Sequence, residues 1–294
     1  MNMLNTATPV LAGFLLCACG GGGNAAPATN GISAPAGAPV NPPPTVGSSV
    51  PPGYALVWAD EFAGNGLPDP GKWSYDTEAN ATGWYNNELQ YYAAERLENS
   101  KVSNGALVIT ARKEALTSAP DYGRQAYTSA RLITRGKASW TYGFFEVRAK
   151  LPCGQGTWPA IWMLGTNNTP WPANGEIDIM EQVGMKPTEI TGTVHTASTA
   201  GTAGNGGMTQ IADACTNFHN YQLTWAADSL SIGVDNAPYF TYWNPGAGKA
   251  SWPFDGPQYL ILNLAIGGDM AGAVNDSIFP VQMEVAHVRV YQKQ

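Results

Sequence analysis

Residues 144–151 alternate without a break: Phe145, Val147, Ala149 and Leu151 interleave with Phe144, Glu146, Arg148 and Lys150. Successive side chains of a strand point to opposite faces, so a period of two specifies a strand with one face on a core. Similar short runs follow at 106–112, 190–196, 218–225, 230–235, 239–243, 259–266 and 283–291, separated by Gly, Pro, Asn and Asp. No amphipathic helix of useful length interrupts them. Many short strands at close spacing predict an all-β chain, and about 240 residues of such pattern suit a large two-sheet sandwich better than a small barrel. Composition agrees. Charged residues make up 13%, whereas Gly numbers 34 and Pro 22, which argues against salt-bridged helices and coiled coils.

The first 53 residues follow other rules. Residues 10–19 (VLAGFLLCAC) form an apolar run too short to span a bilayer, and read as an export signal. Leu16-Cys17-Ala18-Cys19 resembles a bacterial lipobox, which makes Cys19 the candidate lipidated residue; simple secretion is the alternative, since no Lys or Arg precedes the run. Residues 20–53 are Gly, Ala, Pro, Ser and Asn with few large apolar side chains, a composition that cannot offset the entropy of ordering. The expected organisation is an export signal at 1–19, a disordered linker at 20–53 and one catalytic domain at 54–294, in an exported chain held to the cell envelope only by a lipid. Outside the cytoplasm an even pair of cysteines, Cys153 and Cys215, predicts a disulfide, with two separate buried thiols as the alternative.

Charge narrows the partner. Fifteen Lys and Arg against 22 Asp and Glu leave a net −7, which disfavours a phosphate-backbone partner. Ten Trp and 13 Tyr suit a neutral, ring-shaped ligand such as a sugar, although core packing also consumes aromatics.

The chemistry lies in Gly175-Glu176-Ile177-Asp178-Ile179-Met180-Glu181. On a strand Glu176 and Asp178 share one face and both isoleucines enter the core. Glu181, three residues past Asp178, points into the apolar layer unless one extra residue is accommodated, so a β-bulge around Met180 is expected. Three acids then line one face. That arrangement fits a solvated face or a hard-cation site, but it also supplies what a retaining glycosidase needs: a nucleophile and an acid about 5–5.5 Å apart. The charge on Glu176 is expected to keep Glu181 protonated, and Asp178 to hydrogen-bond the nucleophile.

Around these acids the chain resembles glycoside hydrolase family 16, close to the bacterial laminarinases. The resemblance runs through Trp58-Ala59-Asp60-Glu61-Phe62, Asn86-Asn87-Glu88-Leu89-Gln90-Tyr91-Tyr92, Tyr142-Gly143-Phe144-Phe145-Glu146, Gly156-Thr157-Trp158-Pro159-Ala160-Ile161-Trp162, Thr193-Val194-His195-Thr196 and Leu260-Ile261-Leu262-Asn263. It implies a concanavalin-like β-jelly-roll of two curved antiparallel sheets with a concave, open cleft, and endo-hydrolysis of β-1,3-glucan with retention by a monomer. By position Glu176 resembles the nucleophile, Glu181 the acid/base and Asp178 the assisting carboxylate. Asn87, Arg131, Trp158, Trp162, His195 and Asn263 match cleft-lining positions. Each also has a structural reading: core aromatics for the two Trp, a carboxylate partner for Arg131, a satisfied histidine or a tuner of Glu181 for His195. His219 and His287 receive no role.

Two departures matter. Asp269-Met270-Ala271-Gly272 follows Gly267-Gly268 where laminarinases commonly place a Trp, so one aromatic platform is expected to be missing. Ala286 replaces an Asp that helps hold a structural calcium in relatives, leaving Glu61 as a weak ligand; no cofactor or metal is expected to be required. The alternatives are a mixed-linkage glucan or algal galactan hydrolase or transglycosylase of the same family, and a non-catalytic glucan-binding jelly roll. The intact acid trio disfavours the last.

Overall fold

The computed structural model describes residues 50–199 and 204–294. The expected signal, the lipidation site Cys19 and all but the end of the expected linker lie outside the described residues. In chain order the strands are β1 (Tyr54–Asp60), β2 (Ser74–Tyr75), β3 (Gln90–Tyr92), β4 (Ser100–Ser103), β5 (Ala106–Ala111), β6 (Tyr127–Ser129), β7 (Arg131–Ile133), β8 (Gly143–Lys150) and β9 (Thr157–Gly165). They continue with β10 (Glu176–Glu181), β11 (Glu189–His195), β12 (Asn205–Gln210), β13 (His219–Trp225), β14 (Ser229–Val234), β15 (Ala237–Trp243), β16 (Gln258–Ile266) and β17 (Val281–Lys293). The α-helix α1 (Gly268–Ala271) is four residues long, in keeping with the lack of helical periodicity.

Two antiparallel sheets form a jelly-roll sandwich. One runs β12-β11-β10-β9-β16-β7-β2; the other runs β15-β14-β13-β8-β17-β5-β4, with β1 also paired to β17. Strands distant in sequence are neighbours: β9 lies between β10 and β16, and β8 between β13 and β17. The core fills the space between the sheets, where Phe145, Val147 and Ala149 of β8 join Ile161 and Met163 of β9, Ile177 and Ile179 of β10, and Leu262 and Leu264 of β16. Each of these is a residue that alternation assigns to the inner face. Their neighbours Trp158, Trp162, Glu176, Asp178 and Asn263 therefore face the other way, into the cleft.

The outward face of β8 differs from a solvated strand face. Glu146 and Arg148 are buried: Gln222 Nε2 donates to Glu146 at 2.8 Å, His287 Nε2 lies 3.1 Å from its other oxygen, and Arg148 donates to Asn220. Charged groups at the middle of a broad sheet are covered by long neighbours, and remain there because they are paired. His219 likewise has a structural place, with Nδ1 at 2.7 Å from Asp235 and Nε2 at 3.2 Å from Asp213. Both carboxylates raise its pKa, the hydrogen-bonded Asp235 most. Cys153, after β8, and Cys215, before β13, are joined in a disulfide with Cα atoms 5.7 Å apart.

Candidate active site

Strand β10 carries the acids, and its register shows how. Glu176 stands opposite Leu164 of β9 and His195 of β11, and Asp178 opposite Trp162 and Thr193. Glu181 stands opposite Ala160 and Thr191, so β10 spends three residues where each neighbour spends two. This is the bulge the odd spacing requires. Ile179 and Met180 both enter the core, fully buried, and Glu181 returns to the face of Glu176 and Asp178. Gly175 precedes the strand at φ +79°, where a Cβ would meet Pro253 at 2.8 Å and Phe254 at 3.0 Å. Only glycine fits that entry to the acid strand.

The three carboxyls have distinct surroundings. Glu176 accepts a hydrogen bond from the Trp171 indole N–H, and Trp171 also packs against His195 with ring centroids 6.1 Å apart. Glu181 accepts from Trp158 Nε1 at 3.0 Å. Asp178, at 3% exposure the most buried, lies 3.2 Å from His195 Nε2, with a carboxyl oxygen within 4.8 Å of one of Glu176. Burial, then the neighbouring Asp178 charge, pushes Glu176 up to about 8. Burial also lifts Glu181 to about 7, opposed by the Trp158 hydrogen bond and reinforced by the Glu176 charge. Asp178 is raised well above its ordinary value by burial and by Glu181. Desolvation penalises the charged form of each, and like charges share one face, so the trio does not ionise fully at neutral pH.

The remaining cleft residues are held as tightly. Trp162 Nε1 donates to Asn263 Oδ1 at 2.7 Å, and Asn263 Nδ2 donates to the Tyr92 hydroxyl at 3.0 Å. Arg131, opposite Asn263 in register, lies with its guanidinium carbon 5.1 Å from the Trp84 ring and 4.7 Å from the Trp162 ring. Its Nε is 3.1 Å from Asp76. Arg131, Trp158, Trp162 and Asn263 thus line one cleft with the acids. His195 pairs with Asp178 instead of lying directly against Glu181. Asn87 stands at the rim, exposed, and donates to Asp269 at 2.7 Å; Asn86 and Glu88 line the cleft on either side of it.

Residues the sequence reading passed over complete the site. Glu88 accepts from Gln90 at 2.8 Å, and burial raises its pKa; its place beside the Asn86–Asn87 pair is the signal in the sequence that points to it. Trp171 lies in the Pro170-Trp171-Pro172 loop, where no periodicity marks a facing direction. Tyr85, beside the Asn pair, also lines the cleft.

Among the described residues, Glu176, Asp178 and His195 form the single grouping of metal-ligating types, with one ligand atom each within 4.8 Å of one another. Burial raises the pKa of both carboxyls, so a cation would have to compete with protons there. Glu61 is committed elsewhere: its two oxygens accept from Arg289 Nε and Nη2 at 2.7 and 2.8 Å, leaving the weak calcium ligand without a free carboxylate.

The chain as a whole has counterparts among known proteins. The chain is 48% identical over 254 residues to a beta-glucanase of Rhodothermus marinus, covering 82% of this chain and 86% of that one. It is 38% identical over 230 residues to a glucan endo-1,3-beta-glucosidase of Cryptopygus antarcticus, covering 74% and 83%. Its fold matches the crystal structure of SCLam, a non-specific endo-beta-1,3(4)-glucanase, with a TM-score of 0.81 and 54% identity over 84% of this chain and 94% of that one. The model of the glycosyl hydrolases family 16 matches residues 87–282, a span from the turn at Asn87 through the acid strand into β17, and the chain belongs to that family.

Proposed function

We propose that this glycoside hydrolase cleaves internal bonds of β-1,3-glucan with retention of configuration. The observation that carries the reading is the bulge of β10, which turns Glu176, Asp178 and Glu181 onto one face of a cleft lined by Trp158 and Trp162. Glu176 attacks the anomeric carbon while Glu181 protonates the departing glycosidic oxygen; water, deprotonated by Glu181, then releases the glycosyl ester. Attack requires an ionised Glu176. Asp178 is more buried and raised well above its ordinary value, and Glu176 has a donor in Trp171, so the reactive form carries its proton on Asp178; because Glu176 is itself raised to about 8, that form is the minor one at neutral pH.

The glucan endo-1,3-beta-glucosidase of Cryptopygus antarcticus supports β-1,3-glucan as the substrate class. A β-1,3 chain placed in the cleft would meet Trp158 and Trp162 with its rings and Arg131, Asn263 and the Asn86–Asn87 turn with its hydroxyls. Contiguous β-1,3 links are the preferred substrate in this reading and mixed-linkage glucan a slower one, kept in view by the likeness to a non-specific endo-beta-1,3(4)-glucanase. Export with a lipid on Cys19 is part of the same proposal and rests on the sequence of residues 1–53. Incubation with laminarin, lichenan and agarose, reading reducing ends and early products, tests the reading. A ladder of laminarin oligosaccharides supports it; release of glucose alone from the outset, or agarose as the best substrate, overturns it.

A further inference from the structure

Tyr85 is 77% exposed, the most exposed large aromatic side chain among the described residues, yet the backbone that carries it is anchored on both sides. Trp84, just before it, is buried: its ring meets Tyr92 edge-on at 4.6 Å, its N–H donates to Asn80 at 2.9 Å, and it covers one face of Arg131. Just after it, Asn86 and Asn87 take left-handed conformations at φ 55° and 56°. They close a tight turn in which Glu88 N–H donates to the Tyr85 carbonyl at 3.1 Å. Leu89 N–H donates to Ile266 at 2.9 Å, and the Asn87 amide to Asp269 at 2.7 Å. The turn sits hard against the segment after β16. A Cβ at Gly268, φ +79°, would lie 2.8 Å from the Asn86 carbonyl and 3.3 Å from the Trp158 ring. Trp158 is the residue that donates to Glu181.

The fold therefore holds a bare aromatic ring at the wall of the cleft that contains the catalytic trio. An aromatic side chain left in water on an anchored stretch of backbone is an apolar surface available to a ligand. In a sugar cleft the matching surface is the C–H face of a pyranose. We propose that Tyr85 is a sugar-stacking platform at the cleft wall, binding a glucose unit beyond the scissile bond and so setting the length of glucan the enzyme prefers. The inference rests on the glucanase reading above and adds a specificity residue to it.

The test compares wild type with Tyr85→Ala, Tyr85→Leu and Tyr85→Phe on β-1,3-linked gluco-oligosaccharides of increasing length, measuring kcat/KM and melting temperature. The Ala and Leu variants are expected to lose about fivefold to tenfold on the longest oligosaccharides, with the loss shrinking toward the shortest one cleaved, while Phe, which keeps the ring, stays within about twofold. Binding of the long oligosaccharide to the Glu176→Gln protein is expected to weaken by the same factor when Tyr85→Ala is added. A loss equal at every length, no loss at any length, or a Phe variant as impaired as Ala overturns the platform. Wild type releasing no reducing ends from laminarin overturns the glucanase reading instead, so the two failures are distinguishable.

Discussion

Replacing the proposed nucleophile should make the protein more stable, and only above a certain pH. Glu176 titrates near 8 in the folded chain because burial and Asp178 disfavour its charge. An unfolded Glu176 returns to the ordinary value of 4.5, so at pH 7 folding must give the Glu176–Asp178 pair a proton that the unfolded chain lacks. The pKa is raised on folding, so the stability is fully present below about 4.5 and is lost as pH rises through the interval up to about 8. Taken whole, 2.5 units at pH 7 cost about 3 kcal/mol. Glu176 keeps an edge in the open cleft, where water screens part of this, so about 2 kcal/mol is the working figure. Glu176→Gln removes the charge, keeps the shape and preserves an acceptor for Trp171. Calorimetry or thermal denaturation from pH 4 to pH 9 should show variant and wild type melting together at pH 4. By pH 7 to 8 the variant should melt about 4–8 °C higher. A variant that melts below wild type at pH 8, or a difference that does not change with pH, would refute the argument from buried charge.

The same Glu176→Gln variant should lose roughly 10³-fold or more of its rate on laminarin while still binding it. Glu181→Ala should lose comparably on natural glucan but retain activity on aryl glycosides whose leaving groups need no proton; equal loss on both would contradict the acid assignment. The pH profile of kcat/KM should be bell-shaped, falling at low pH as the nucleophile is protonated and at high pH as the acid ionises. Because burial raises both glutamates, the nucleophile to about 8 and the acid to about 7, the reverse of the order expected from the sequence, the productive form is a minor state of the coupled trio and both limbs should lie above the ordinary carboxylate range; an optimum near pH 4 would refute this. Cys153→Ser with Cys215→Ser opens a 62-residue loop and should cost about 4 kcal/mol by loop entropy. Cys215 Sγ lies 3.9 Å from the amide of Gln182, the residue after Glu181, so activity is expected to fall as well; a reduced protein with unchanged melting and rate would count against both effects.

What could be read from the chain alone was whatever a strand imposes locally. Alternation in 144–151 assigned Phe145, Val147 and Ala149 to the core, and the offset of Glu181 from Asp178 demanded an extra residue, because side-chain direction along a strand depends only on counting positions. The observed register spends that residue between Asp178 and Glu181. Counting stops at the edge of the strand. It could not choose between Asp178 and Glu181 as the partner of His195, since β11 is a separate segment and its register with β10 decides which atoms meet. Nor could it show that Asn87 turns to Asp269 while Asn86 and Glu88 line the cleft: that choice follows from two left-handed residues pressed against Gly268, 182 positions from the asparagine to its partner. Trp171 reaches Glu176 across a proline-flanked loop, and Arg131 is claimed by Asp76 and two tryptophans, contacts for which the sequence carries no period. The burial of Glu146 and Arg148 belongs to the same class, because whether an outward strand face meets water depends on the neighbours the topology sets beside it. The acids and their face were thus determined by local stereochemistry, whereas their partners, their protonation and the exposure of Tyr85 were decided by long-range packing.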